Sequence, residues 1–347
     1  MTVEFMESFD HLTLAQLTRK WVSVTSTPTI TASGRTGSGL SVVTTFGKYI
    51  KKDVASRDTV IVGFAFKATA MAGTVVPLVS FLNGTQVHCG LMLSTAYALS
   101  FSRNGSGSHW NSSVGLGASA DGVITEGVWH YIEAKVTISD IGLFIVHVDG
   151  AEVLNVNPAD TKFSTTGAVI TNIELGSGAF TNLTAIFDDF YIVDPTSAPN
   201  DDFLGDVRVY CLYPEGVGNS SQWTPGGSGA EATGWESTDE ATPDDDVTNI
   251  TDATTNHVDT YEFQDLPAGV TSIKAVQVNI IAKKDDVGVR QIAPVVRPVA
   301  TDRVGTTVTL STDYADHLQV YNVSPETSAA WDVTEVNNSE FGVKEIT

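Results

Sequence analysis

The sequence predicts an all-β protein: an antiparallel sandwich or jelly roll, followed by a smaller β-rich unit. Three observations carry this. Charged residues make up only 17% of the 347-residue chain, whereas Thr, Ser, Val and Gly are abundant, and β-branched side chains pack well on a pleated surface. Short apolar runs alternate with period two between Gly/Ser-rich loops. Nothing before residue 195 sustains a helical period over three turns, so no crossover helices are available for a parallel sheet.

Taken in order, "TVIVGFAFKAT" places Val60, Val62, Phe64 and Phe66 on one face and Ile61, Gly63, Ala65 and Lys67 on the other. "VWHYIEAKVTI" repeats the pattern, with Ile132, Ala134, Val136 and Ile138 inward. "LFIVHVDGAEVLNV" is two apolar runs around Asp149-Gly150, the signature of a hairpin closed by a type I′ turn. "NIELGSGAFTNLTAIFDDFYIVD" supplies two more strands and closes the first domain, 1–195. Pro195 and Pro199 disfavour ladder pairing between them, so 196–204 reads as a linker and 205–347 as the acidic C-terminal domain. There, Val276, Val278 and Ile280 alternate, Asp285–Gly288 reads as a turn, and Val289–Val296 as the returning strand. The tail is expected to hold one helical turn, capped by Ser324 or Thr334.

The net charge of −22 is unevenly spread: residues 1–195 carry 11 basic and 16 acidic side chains (−5), residues 196–347 carry 8 and 25 (−17). Such a surface repels phosphate backbones, so nucleic acid is not expected as a partner. No apolar run approaches the roughly 18 residues of a membrane span, and the N-terminal "MTVEFMESFDHLT" lacks the basic, apolar pattern of a secretion signal. Cys89 and Cys211 are isolated, as suits small buried hydrophobes rather than a disulfide framework or a zinc site.

Signatures of chemistry are sparse. There is no G-x-S-x-G elbow, Walker A loop or H-E-x-x-H, and "GLGASA" lacks the third Gly of a dinucleotide fingerprint. Neither a cofactor nor a metal is therefore expected. His130 and His147 could meet across a sheet, but no ligand-spaced carboxylate or Cys accompanies them, and partly buried strand histidines are the simpler reading. Asp244–Asp246 offer several carboxylate oxygens on one loop, as calcium would want, but without the EF-hand spacing a solvated acidic loop is the simpler reading. Trp110, flanked by His109 and Asn111 in "GSGSHWNS", is the candidate glycan-binding platform. Its alternative is a Trp folded back over the sheet edge.

Two stretches resemble known families. "GVWHYIEAKVTISDIGLFIVHVDGAEVL" resembles the central hairpin of concanavalin A-like, laminin G-like jelly rolls. "FDDFYIVDPTSAPNDDFLGDVRVYCLYPEGVGNSSQWTP" resembles a segment of tailed-bacteriophage virion structural proteins, with "VDTYEFQDLP", "IKAVQVNIIAKKDDVGVRQIAPVVR" and "AAWDVTEVNNSEFGVK" following in kind; the likeness spans roughly 125–347. It implies a jelly-roll component of the phage particle, on capsid, neck or tail. Such a protein is made in the host cytoplasm, assembled as a homo-oligomer with other virion proteins, and able to touch a host-surface glycan. Glycoside hydrolases of the same fold carry E-x-D-x-x-E, with two carboxyls facing one sugar. Here Asp188 and Asp189 are adjacent and expected to point to opposite faces. The expectation is that the chain is not an enzyme, and that Asp201 and Asp202 are punctuation at a domain join.

Overall fold

A computed structural model describes residues 3–24, 28–43, 48–71, 73, 75–105, 110, 113–163, 167–177 and 183–347. They form two compact units, Met1–Val209 and Tyr210–Thr347. The sequence-based linker 196–204 and residues 205–209 thus belong to the first unit, and the division falls five residues later than the expected start of the second domain.

In the first unit the strands are β1 (Val3–Glu7), β2 (Ser23–Val24), β3 (Thr29–Thr31), β4 (Gly39–Val43), β5 (Lys48–Arg57), β6 (Thr59–Met71), β7 (Val76–Asn83), β8 (Gln86–Leu93), β9 (Leu99–Asn104), β10 (Ser113–Ala118), β11 (His130–Thr137), β12 (Gly142–Val148), β13 (Ala151–Ala159), β14 (Ile170–Ser177) and β15 (Leu183–Val193). They make two antiparallel sheets, ordered β13-β12-β11-β6-β15-β4-β3 with β1 on β15, and β10-β9-β8-β7-β14-β5-β2. This is the all-β, jelly-roll-like sandwich that the patterning predicts.

The core lies between the sheets, where Phe64, Phe66 and Phe187 of the first sheet pack together. Phe144 is stacked on Phe101 of the second sheet at 4.2 Å. The Asp149-Gly150 turn forms as expected, with φ of 52° and 80°. His130 locks it: its Nδ1 lies 2.7 Å from Asp149 Oδ2, while its Nε2 accepts the Thr125 N–H.

One buried ion cluster fixes the N-terminal segment against this sandwich. Lys20 lies 3.2 Å from Glu7, with both side chains inaccessible to solvent, and the Phe9 N–H donates to Glu7 Oε1. Burial alone would raise the Glu7 carboxyl, but Lys20, His11 and the Phe9 N–H outweigh it and hold the group below its usual range. Burial, with Lys20 nearby, lowers His11 to about 4.

The second unit contains β16 (Pro214–Ser221), β17 (Thr224–Gly226), β18 (Asn249–Thr251), β19 (Val258–Phe263), β20 (Val276–Ala282), β21 (Gln291–Arg297), β22 (Arg303–Val304), β23 (Val308–Thr309), β24 (Ala315–Tyr321), α1 (Val333–Asn337) and β25 (Glu340–Glu345). The order β16-β19-β25-β21-β22 makes its main sheet, and β20 pairs with β24. The expected hairpin across Asp285–Gly288 does not form: β20 and β21 join different sheets, because Val278 and Val296 are needed on facing walls of one core with Trp331, Val336 and Phe341. The helical turn is capped by Asp332, whose carboxylate accepts the Glu335 N–H at 2.8 Å, rather than by Ser324 or Thr334.

Gly63 faces away from the sandwich core, and a Cβ there would run into the Tyr191 ring. Gly63→Ala is expected to destabilise the first unit by about 1–3 kcal/mol through overpacking. A lowered denaturant midpoint with an unchanged m value would show it.

Candidate functional site

Each sheet of the sandwich has an outer face, and the two are built differently. On the first sheet, the outer positions Tyr131, Glu133, Asp188, Asp189 and Tyr191 are all buried. They are covered by residues 202–209, a strap without secondary structure. The strap is tied down by its backbone: Gly205 N donates to Glu133 Oε1 at 2.9 Å, Leu204 N to the Tyr191 hydroxyl, and Val209 N to Asp189 Oδ1 at 2.8 Å. Phe203 packs on the His147 ring at 4.0 Å, and Lys135 reaches Asp202 at 3.3 Å.

The centre of this arrangement is Arg35. Its guanidinium donates to Asp189 Oδ2, to the Val207 carbonyl and to Asp206, while its own N–H donates to Asp188 Oδ2 at 2.6 Å. Asp188 and Asp189 therefore converge on one residue, contrary to the expectation of opposite faces. The reason is a β-bulge between Asp188 and Tyr191, with Asp189 in the left-handed region (φ 48°), which breaks the two-residue alternation. Burial and the neighbouring Asp189 raise Asp188 to about 8; burial raises Asp189 to about 6 against the pull of the Val209 N–H and Arg35. On the outer side of β6, Ile61 and Ala65 are as buried as Val60, Val62, Phe64 and Phe66 on its inner side.

The outer face of the second sheet carries a polar row. Lys51 on β5, Glu174 on β14, Ser80 on β7, Gly90 on β8 and Ser102 on β9 are successive register partners. At the usual strand spacing the row is about 19 Å long. Phe81, whose ring meets Phe144 in the core, shows that Ser80 points outward. Glu174 is 3% exposed. Burial raises it to about 7, with only Lys51 drawing it back. A carboxyl with that pKa can hold or release a proton near neutrality.

The candidate residues from the sequence fall as follows. Trp110 reaches this row but presents no free ring: it is buried against Leu82, Val87 and Met92, and its indole N–H donates to Ser80 Oγ at 2.9 Å. That corrects its reading as an exposed glycan platform. The physical reason is Gly90, whose missing side chain leaves the space the ring fills. His109 and Asn111 lie outside the described residues. His130 and His147 do not meet, being engaged by Asp149 and by Phe203.

Asp244 accepts from the N–H and hydroxyl of Thr248, and Asp246 pairs with Lys283 at 2.7 Å. Among the described residues no group of three or more His, Cys, Asp or Glu is placed to hold a metal ion. Asp202 is more than punctuation, since it anchors the strap to Lys135. Sequence reasoning missed Glu174: it sits in "NIELGS" as one charge in an apolar run, and only its alternation with Ile173 and Leu175 hinted at an outward carboxyl.

No family model matches the chain, and no curated protein matches it. Among solved structures it is similar to an endo-β-1,4-glucuronan lyase from the fungus Trichoderma reesei, at 14% identity and TM-score 0.41, over 55% of this chain and 95% of that one. The alginate lyase Aly36B is similar at 12% identity and TM-score 0.33, over 45% and 79%. A sialidase of Trypanosoma rangeli is similar at 14% and 0.33, over 48% and 26%. These similarities concern the sandwich fold alone. They correct the expectation that the chain is not an enzyme: sandwiches of this kind include those of lyases, so missing hydrolase signatures do not exclude carbohydrate chemistry.

Arg35→Ala is expected to cost about 3 kcal/mol, since it leaves the buried Asp189 carboxylate with only the half-buried Arg208, 3.9 Å away, as a cation. Limited trypsin digestion should then cut the strap at Arg208 faster than in the parent. The Asp188 carboxyl is raised in the folded state, so folding favours its protonated form; that stability is present below the ordinary carboxyl pKa and is lost as pH rises toward 8. Asp188→Asn should remove this component, so that the melting temperature of the parent falls relative to the variant between about pH 4 and pH 8.

Proposed function

We propose that this chain is a structural component of a tailed-phage particle, acting through assembly with copies of itself and with other virion proteins. The observation that carries the reading is the segment 187–225, which resembles a recurring virion segment and whose residues 202–209 cover the first sheet before the chain enters the second unit. Its polar groups are spent on Arg35, Glu133, Tyr191 and Lys135, an arrangement that suits a part whose role is mechanical continuity between two β units. The net charge of −17 over residues 196–347 favours partners with basic surfaces and keeps like copies soluble before assembly. Mass spectrometry of purified virions should find the chain, and its copy number should separate capsid decoration (hundreds) from neck or tail (a dozen or fewer). Absence from purified virions would sink the reading.

A further inference from the structure

Three ionisable side chains of the N-terminal segment meet away from water. Glu7 ends β1, His11 follows on the next loop, and Lys20 comes directly after a short 3-10 turn, Gln16–Arg19; all three are buried. The Lys20 ammonium lies 3.2 Å from Glu7 Oε2 and 3.3 Å from His11 Nε2. An ammonium only donates, so His11 Nε2 must accept, and the ring is held neutral with its proton on Nδ1. That Nδ1 is buried without a hydrogen bond, 3.8 Å from Glu7 Oε1.

Protonating His11 would therefore set a second cation against Lys20 where water cannot screen the two. Protonating Glu7 would remove the anion that Lys20 and the Trp21 indole N–H both use. Lys52 of β5 adds further positive charge, lying 4.2 Å over the Phe5 ring and donating to the Lys20 carbonyl. Asp10 accepts the Ser38 N–H, and Arg57 holds Glu4 and Asp194 in a more exposed tie. The cluster sits where residues 3–24 dock: β1 pairs with Phe190–Val193 of β15, and Phe5, Phe9 and Trp21 gather around Phe190.

We infer that Glu7, His11 and Lys20 form an acid-sensitive latch, which holds residues 3–24 closed at neutral pH and lets them open as a unit in mild acid. Opening bares the edge of β15 at Phe190–Val193, and a sheet edge with unpaired backbone is a template for a further strand. Burial, with Lys20 beside it, depresses His11 in the closed form, so its contribution is complete above the ordinary imidazole pKa and is lost as pH falls toward about 4. Across that fall the His11 component favours opening on the order of a hundredfold. Glu7, despite burial, is held below its usual range by Lys20, and its contribution is lost lower in the same fall. Asp10 is raised by burial and works the other way, favouring the closed form as pH falls.

Hydrogen exchange of the full chain, read by mass spectrometry from about pH 7.5 to about pH 4 and corrected for the intrinsic rate, tests the latch. Peptides within 3–24 should lose protection as pH falls, while β6 stays protected. His11→Gln is neutral at every pH and still offers Lys20 an acceptor. It should flatten the pH dependence of the opening constant by about one proton, a change that loss of packing alone would not produce. The inference is overturned if residues 3–24 keep their protection in acid, or lose it only together with β6. An unchanged slope in His11→Gln overturns it as well.

Discussion

The first unit depends on a single clasp: the Arg35 guanidinium, held against Asp189 and reaching the carbonyl and carboxylate of the strap. Without the bulge at Asp188–Tyr191, one of the two adjacent carboxylates would point into the apolar core, where no cation waits. With it, Asp188 receives the Arg35 and Thr36 N–H groups and Asp189 the guanidinium. The outer face of the sheet then becomes a second, polar core, in which every carboxyl has donors and the two stacked tyrosines fill the space between them. A buried pair of carboxyls that would be ruinous alone is tolerable because its bonds are complete.

The two outer faces of the sandwich therefore make a contrast. One is sealed by the chain itself, with its hydrogen bonds satisfied. The other keeps a row of Lys, Glu, Ser and Gly. Burial raises carboxyls on both faces, Asp188 and Asp189 on the first and Glu174 on the second.

Much of this was legible in the sequence. Alternation in "TVIVGFAFKAT" and "VWHYIEAKVTI" and the Asp149-Gly150 turn are local properties, decided by side-chain volume and backbone freedom within a few residues. The sandwich follows from them. Asp285–Gly288 reads as a turn because two alternating runs with Gly between them look alike whether they pair or part. Only the demand of a shared core, around Trp331 and Phe341, sends them to different sheets. Trp110 was likewise ambiguous, since an aromatic in a Gly/Ser loop may face out or in, and the space above Gly90 decided for in.

The sequence by itself determined the all-β class, the strand faces and the acidic second half, and read the run 196–204 only as a linker. Those rest on period, propensity and composition, which act along the chain. The tertiary structure alone decided that this run leads into a strap rather than a linker, that Asp188 and Asp189 share one arginine, and that Glu174 is buried opposite Lys51. Each of these is a meeting of residues far apart in sequence, such as Arg35 with Asp189 and Lys51 with Glu174. Burial and electrostatic partnership are settled only once distant strands have chosen their neighbours.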